Sequence, residues 1–96
     1  MAEPDLAAIP LPDRLDLSTA PDLAREILKH PADRNLVLDA SRVSHLGTLG
    51  VQVLIAAARR SRAAGAGMEV KGLSGRAGTQ LAALGLTLNT ITEAEA

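Results

Sequence analysis

Residues 35–70, "NLVLDASRVSHLGTLGVQVLIAAARRSRAAGAGMEV", decide the fold. The run opens on "NLVLDA", 35–40, which predicts a strand. Its unbroken apolar centre suggests an interior strand covered on both faces. The polar, glycine-bearing "SRVSHLGTLG" then reads as a loop. From about residue 49 to 64, Val51, Leu54, Ile55 and Ala58 recur at i, i+3, i+4 and i+7, one face of a helix, and Val53 and Ala57 widen it. Arg59, Arg60 and Arg62 gather at its end, where cations favour the helix dipole, and Gly65 stops it. "GMEVKGL", 67–73, alternates through Met68 and Val70 as a second strand. A strand, a crossover helix and a strand in this order predict parallel pairing.

The flanks repeat the pattern. "LAAIPLP", 6–12, reads as a short strand whose prolines suit an edge, and residues 15–17 either extend it or form another. "STAPDLAREILKH" starts a helix with Thr19 and Asp22 as a capping-box-like pair and Pro21 in the first turn. Leu23, Ile27 and Leu28 form its apolar stripe, and Pro31 ends it. Ser74 opens a further helix with Leu81, Ala82 and Leu84 as its buried face. Residues 87–96 hold a short β-prone piece and an acidic end. The expected class is α/β, with a mostly parallel sheet and helices packed on it. At 96 residues the chain predicts one domain, with a core over about 6–92 and a short frayed tail over 93–96.

Composition narrows the function classes. Hydrophobic residues make up 47% and aromatic residues 0%. The core must come from Leu, Ile, Val and Ala, and no ring is present to stack on a base, sugar or flavin. Single-strand nucleic-acid readers built on aromatic platforms are excluded. Ten basic and eleven acidic residues leave a net charge of −1, so no global field draws the chain to nucleic acid or an anionic membrane. Without cysteine it has no disulfide, thiol nucleophile or thiolate metal site. "MAEPDLAAIP" does not read as a signal peptide, and "VLIAAA" from Val53 falls far short of the roughly 18–20 residues of a membrane span. The expectation is a cytoplasmic protein.

In an α/β sheet, functional groups gather in loops beyond the carboxyl ends of strands. The loop after Asp39 leads into the main helix. Thr48 reads as its N-cap, bonding an N–H of the first turn. The same N–H groups and the positive dipole end would stabilise a phosphate on that hydroxyl. His30 and His45 lack the carboxylates that a metal site needs, so no metal or other cofactor is expected. Asp39, Ser41, Ser44 and His45 stand close enough to suggest a nucleophile and base. No G-x-S-x-G elbow accompanies them, so the chain does not read as an enzyme. "GAGMEVKG" and "LSGRAG" match no phosphate-binding glycine pattern.

Taken together, "LPDRLDLSTAPDLAREIL", the 35–70 stretch and "RAGTQLAALGL" resemble the STAS domain family over about residues 11–86. The resemblance implies a mixed, mostly parallel sheet of four to five strands with three to four helices largely on one face. The family includes bacterial anti-sigma factor antagonists, accessory subunits of lipid-transport ABC systems of the Mla type, and C-terminal domains of anion transporters. Some members are encoded beside chemotaxis genes. Antagonists carry D-S-S-G at the start of the main helix, and the second Ser accepts phosphate from an anti-sigma kinase. Here Gly47, Thr48, Leu49 and Gly50 take those places, so Leu49 stands at the usual acceptor and Gly47 at the Asp. Thr48 matches the first hydroxyl, which is also the Thr of the accessory subunits' D-T-x-G.

The resemblance therefore implies an interaction module using Ser44, His45, Gly47, Thr48, Leu49, Gly50, Gln52 and Arg59, with Thr48 the candidate phosphoacceptor. One reading is a partner-switching regulator of the antagonist type. The alternative is a constitutive adaptor or accessory subunit. The partner is then an anti-sigma kinase, an ABC ATPase or a chemosensory protein. A small-ligand binder is third, since the sheet offers a crevice without converging polar groups.

Overall fold

The computed structural model describes residues 8–93. Nine elements follow in chain order: β1 (Ile9–Pro10), β2 (Arg14–Leu15), α1 (Ala20–Lys29), β3 (Leu36–Asp39), β4 (His45–Leu46), α2 (Thr48–Ala63), β5 (Met68–Lys71), α3 (Gly75–Ala83) and α4 (Leu88–Thr92). The alternation of strand and helix establishes the α/β class. Every strand pairing among these elements is parallel.

The strands form two small sheets rather than one. β3 lies between β1 and β5, and β2 pairs with β4. The chain direction continues from β1 into β2 and from β3 into β4, but the partner offset grows by two residues between Ile9↔Leu38 and Arg14↔His45. Pro10 and Pro12, which lack N–H donors, interrupt the first side. On the second side Asp39 accepts the Ser41 N–H at 2.9 Å and turns the chain. The slip is absorbed at Asp13, whose carbonyl accepts both the Ser44 N–H at 2.9 Å and the His45 N–H at 3.2 Å.

The core lies between these sheets and the helices. Leu36 and Leu38 of β3 are buried while Val37 and Asp39 are half-buried, so one face of this central strand is sealed and the other only partly covered. Met68 and Val70 alternate inward as expected. α2 packs against α1, α4, β2 and β5, and α3 packs against β4. Val51, Leu54, Ala57 and Ala58 form the buried face of α2, with Ile55 and Val53 half-buried beside it. Gly65 takes φ +80° just past the C-cap, Ala64, the left-handed backbone that glycine adopts freely.

Several local expectations are corrected. Thr19 is the N-cap residue of α1, but its side chain makes no cap bond. The hydroxyl points back, donating to the Arg14 carbonyl at 2.6 Å and accepting the Asp16 N–H at 3.1 Å, so it closes the β2–α1 loop. Asp22 pairs with Arg25 instead of completing a capping box. Leu28, expected in the buried stripe, is 63% exposed, and Leu17 is 71% exposed. In α3 the buried positions are Ala77 and Leu81, whereas Ala82 and Leu84 face outward. The last piece is a helix rather than a strand. The Thr87 hydroxyl caps α4 by accepting the Thr90 N–H at 3.1 Å, and Ile91 is buried. That burial overrides the β preference of Thr and Ile. The expected strand positions 6–7 and tail positions 94–96 lie outside the described residues.

Candidate functional site

The start of α2 is set by its contact with β2. The Gly47 N–H donates to the Leu15 carbonyl at 2.8 Å, and its extended backbone (φ −96°, ψ 169°) makes it the N-cap. Its own carbonyl accepts the Val51 N–H at 3.1 Å, the first bond of the helix. Thr48 is therefore the first helical residue and not the cap. No side chain caps this end, and the first turn holds no acidic residue. Thr48 and Leu49 are exposed, Leu49 by 45%.

Gly50 belongs to the fold instead of the surface. It is buried, and a Cβ there would lie 2.5 Å from the Leu15 carbonyl oxygen and 2.6 Å from Leu15 Cγ. Only a hydrogen fits between helix and strand. This close approach is what holds Thr48 and Leu49 at the tip.

Ser44 is also committed to the fold. Its hydroxyl bonds the Asp13 carboxylate, and its carbonyl accepts Gln80 Nε2 at 3.4 Å. Gln80 Oε1 in turn accepts the Leu46 N–H at 2.6 Å, so one amide side chain from α3 covers the open edge of β4. His45 is half-buried on that strand. The Ser44 hydroxyl points to Asp13, and Asp39 holds the Ser41 N–H, so these groups do not converge as a nucleophile and base.

Gln52 and Arg59 are exposed. Thr48, Gln52 and Arg59 recur at i, i+4 and i+11 along one solvent face, with Arg59 roughly 16 Å from Thr48 along the axis at about 1.5 Å per residue. The structure thus gathers Thr48, Leu49 and Gln52 at one end and sets Arg59 well apart.

Two neighbours of the tip escaped the sequence reading. Asp16 faces it from the β2–α1 loop, since a Cβ at Gly47 would lie 3.4 Å from Asp16 Cβ. The Ser18 hydroxyl and N–H, and then Arg14, hold the Asp16 carboxyl below the usual carboxylate range. Leu17 follows as a second exposed apolar side chain. The "LD" at 15–16 was visible, but the pairing of β2 with β4 that brings it to α2 was not.

Such a parallel α/β framework, with an exposed, uncapped helix start on a strand-supported turn, defines a small domain that presents a helix end to its surroundings. Residues 2–91 match the family model described as "Mlab, STAS domain". The chain belongs to the STAS domain family. Neither a curated protein nor a solved structure gives a significant match. Among the described residues no helix is long and apolar enough to cross a membrane.

Proposed function

We propose that this chain is a non-catalytic, cytoplasmic regulatory module that binds a protein partner through the β4–α2 turn and the solvent face of α2. The observation that carries this reading is Leu49, held 45% exposed at the first turn by the glycine contact beneath it. An apolar side chain on a rigid, water-facing tip suits an interface anchor surrounded by polar groups. Thr48, exposed beside it, is the one hydroxyl in the first turn of α2, and it is the group on which phosphorylation would act. A phosphate adds about −1.5 to −2 charge and, unpaired in an apolar contact, opposes binding. That is the partner-switching mode of anti-sigma factor antagonists, with an anti-sigma kinase as partner.

Leu49 in the usual acceptor place favours a second reading, a constitutive accessory subunit docked on an ABC ATPase or a chemosensory protein. The description of the matched family model supports it as well. Both readings use one surface and differ in the fate of Thr48. The experiment is a pull-down from native lysate with the wild-type chain and Thr48→Glu, with the intact mass of the recovered chain measured. A phosphate on Thr48 and loss of the partner in Thr48→Glu support the switch. An unmodified Thr48 and a partner retained by Thr48→Glu support the constitutive subunit.

A further inference from the structure

α2 is charged unlike its neighbours. It carries Arg59, Arg60 and Arg62 and no acidic residue, in a chain whose net charge is −1. The cations of β2 and α1 are matched locally, Arg14 by Asp16, Arg25 by Asp22 and Lys29 by Glu26. No arginine of α2 meets a carboxylate among the described residues. Arg60 instead donates to the His30 carbonyl at 3.1 Å.

Next to these charges, α1 and α2 leave an apolar groove of about 230 Å³, formed by Ala24 and Leu28 on one side and Val53, Ala56 and Arg60 on the other. The two helices run side by side in one direction. α1 starts just after β2, on which Gly50 rests, and it ends at His30, which receives Arg60. Leu49, Val53, Ala56 and Arg60 follow at i, i+4, i+7 and i+11, so the exposed Leu49 stands at one end of the groove. Leu28, 63% exposed, stands at the other.

The shape selects the occupant. The volume is below the roughly 300–1,000 Å³ of small-molecule pockets, so side chains fit better than a metabolite. Alanines on both walls let a third backbone approach, and a concave trough between two helices matches a helical ridge better than a flat bilayer. The unneutralised arginines at one end require carboxylates on whatever fills it.

We propose that the α1–α2 groove seats an amphipathic helix of the protein partner, its apolar ridge filling the trough and its carboxylates meeting Arg59 and Arg60. The inference rests on the reading of α2 as the contact element and adds the chemistry of the partner.

The probes are two helical peptides as long as α2, with leucines on one face flanked by glutamates in one and by lysines in the other, titrated against the full chain by fluorescence anisotropy. The glutamate peptide binds at least about tenfold more tightly, a preference that shrinks with salt and in Arg59→Glu. Ala56→Trp fills an exposed groove position, and Leu28→Glu places a like charge beside the ligand; each abolishes binding while circular dichroism shows the fold intact. Equal affinity for the two peptides overturns the proposal, as do binding of neither, binding that survives Ala56→Trp, and binding to phosphatidylglycerol vesicles in place of the peptide. Self-association of the chain that Ala56→Trp breaks makes the occupant a second copy and overturns it too. A native partner lost in Leu49→Arg but kept in Ala56→Trp removes the groove and leaves the tip. A partner kept in Leu49→Arg but lost in Ala56→Trp removes the tip.

Discussion

Gly50 rests on Leu15 so closely that a Cβ at position 50 would stand 2.5 Å from the Leu15 carbonyl oxygen. This contact joins β2 to α2 and fixes the height of the turn that carries Thr48 and Leu49. Gly50→Ala must push helix and strand apart, at a cost of about 1–3 kcal/mol that outweighs the better helix propensity of alanine. Urea unfolding checks this, with Gly78→Ala as the control. Gly78 lies inside α3 with nothing within 4 Å of its Cβ position, so alanine there stabilises by about 0.5–1 kcal/mol.

Gln80 holds the free edge of β4 by accepting from the Leu46 N–H at 2.6 Å. Gln80→Ala leaves that half-covered donor without its partner and costs about 1 kcal/mol. Hydrogen exchange localises the effect, since the Leu46 amide is expected to lose protection before those of β3.

Acid lowers stability through two carboxylates. Asp16 is held below its usual range by Ser18 and then Arg14, and Asp39 by the hydroxyl and N–H of Ser41 and then Arg42. A depressed native pKa means that the unfolded chain binds more protons. The stabilisation is therefore present above the unfolded value of 3.8 and is lost as pH falls through the lower native values. Melting temperatures between pH 7 and pH 2 are expected to fall chiefly below about pH 4. Asp16→Asn and Asp39→Asn each flatten that fall.

What was legible in the sequence follows its periodicities. The spacing of Val51, Leu54 and Ala58 located α2 to within a residue at each end, and the alternation of Met68 and Val70 located β5. Contacts between distant segments were not legible. The two residues of β4 have no period, and the strand exists because Arg14–Leu15 pairs with it across 31 residues. Thr48 had the chemistry of a cap, but the Leu15 carbonyl fixes Gly47 in that place. Leu28 had the spacing of a core residue on α1, yet it remains exposed beside the groove. Of the expected site, Thr48, Leu49, Gln52 and Arg59 stand on the surface, while Ser44 and Gly50 are held by the fold.

We propose that Leu49 anchors a protein partner. The most direct test is the partner's affinity for the wild-type chain, Leu49→Arg and Leu84→Arg, measured by isothermal titration calorimetry. Leu84 is a fitting control because it is 44% exposed at the far end of α3. Both substitutions are at exposed positions and leave stability within about 0.5 kcal/mol. Leu49→Arg is expected to weaken binding by roughly thirtyfold or more, the loss of an anchor worth about 2 kcal/mol, while Leu84→Arg binds as the wild type does. Wild-type affinity in Leu49→Arg would contradict it.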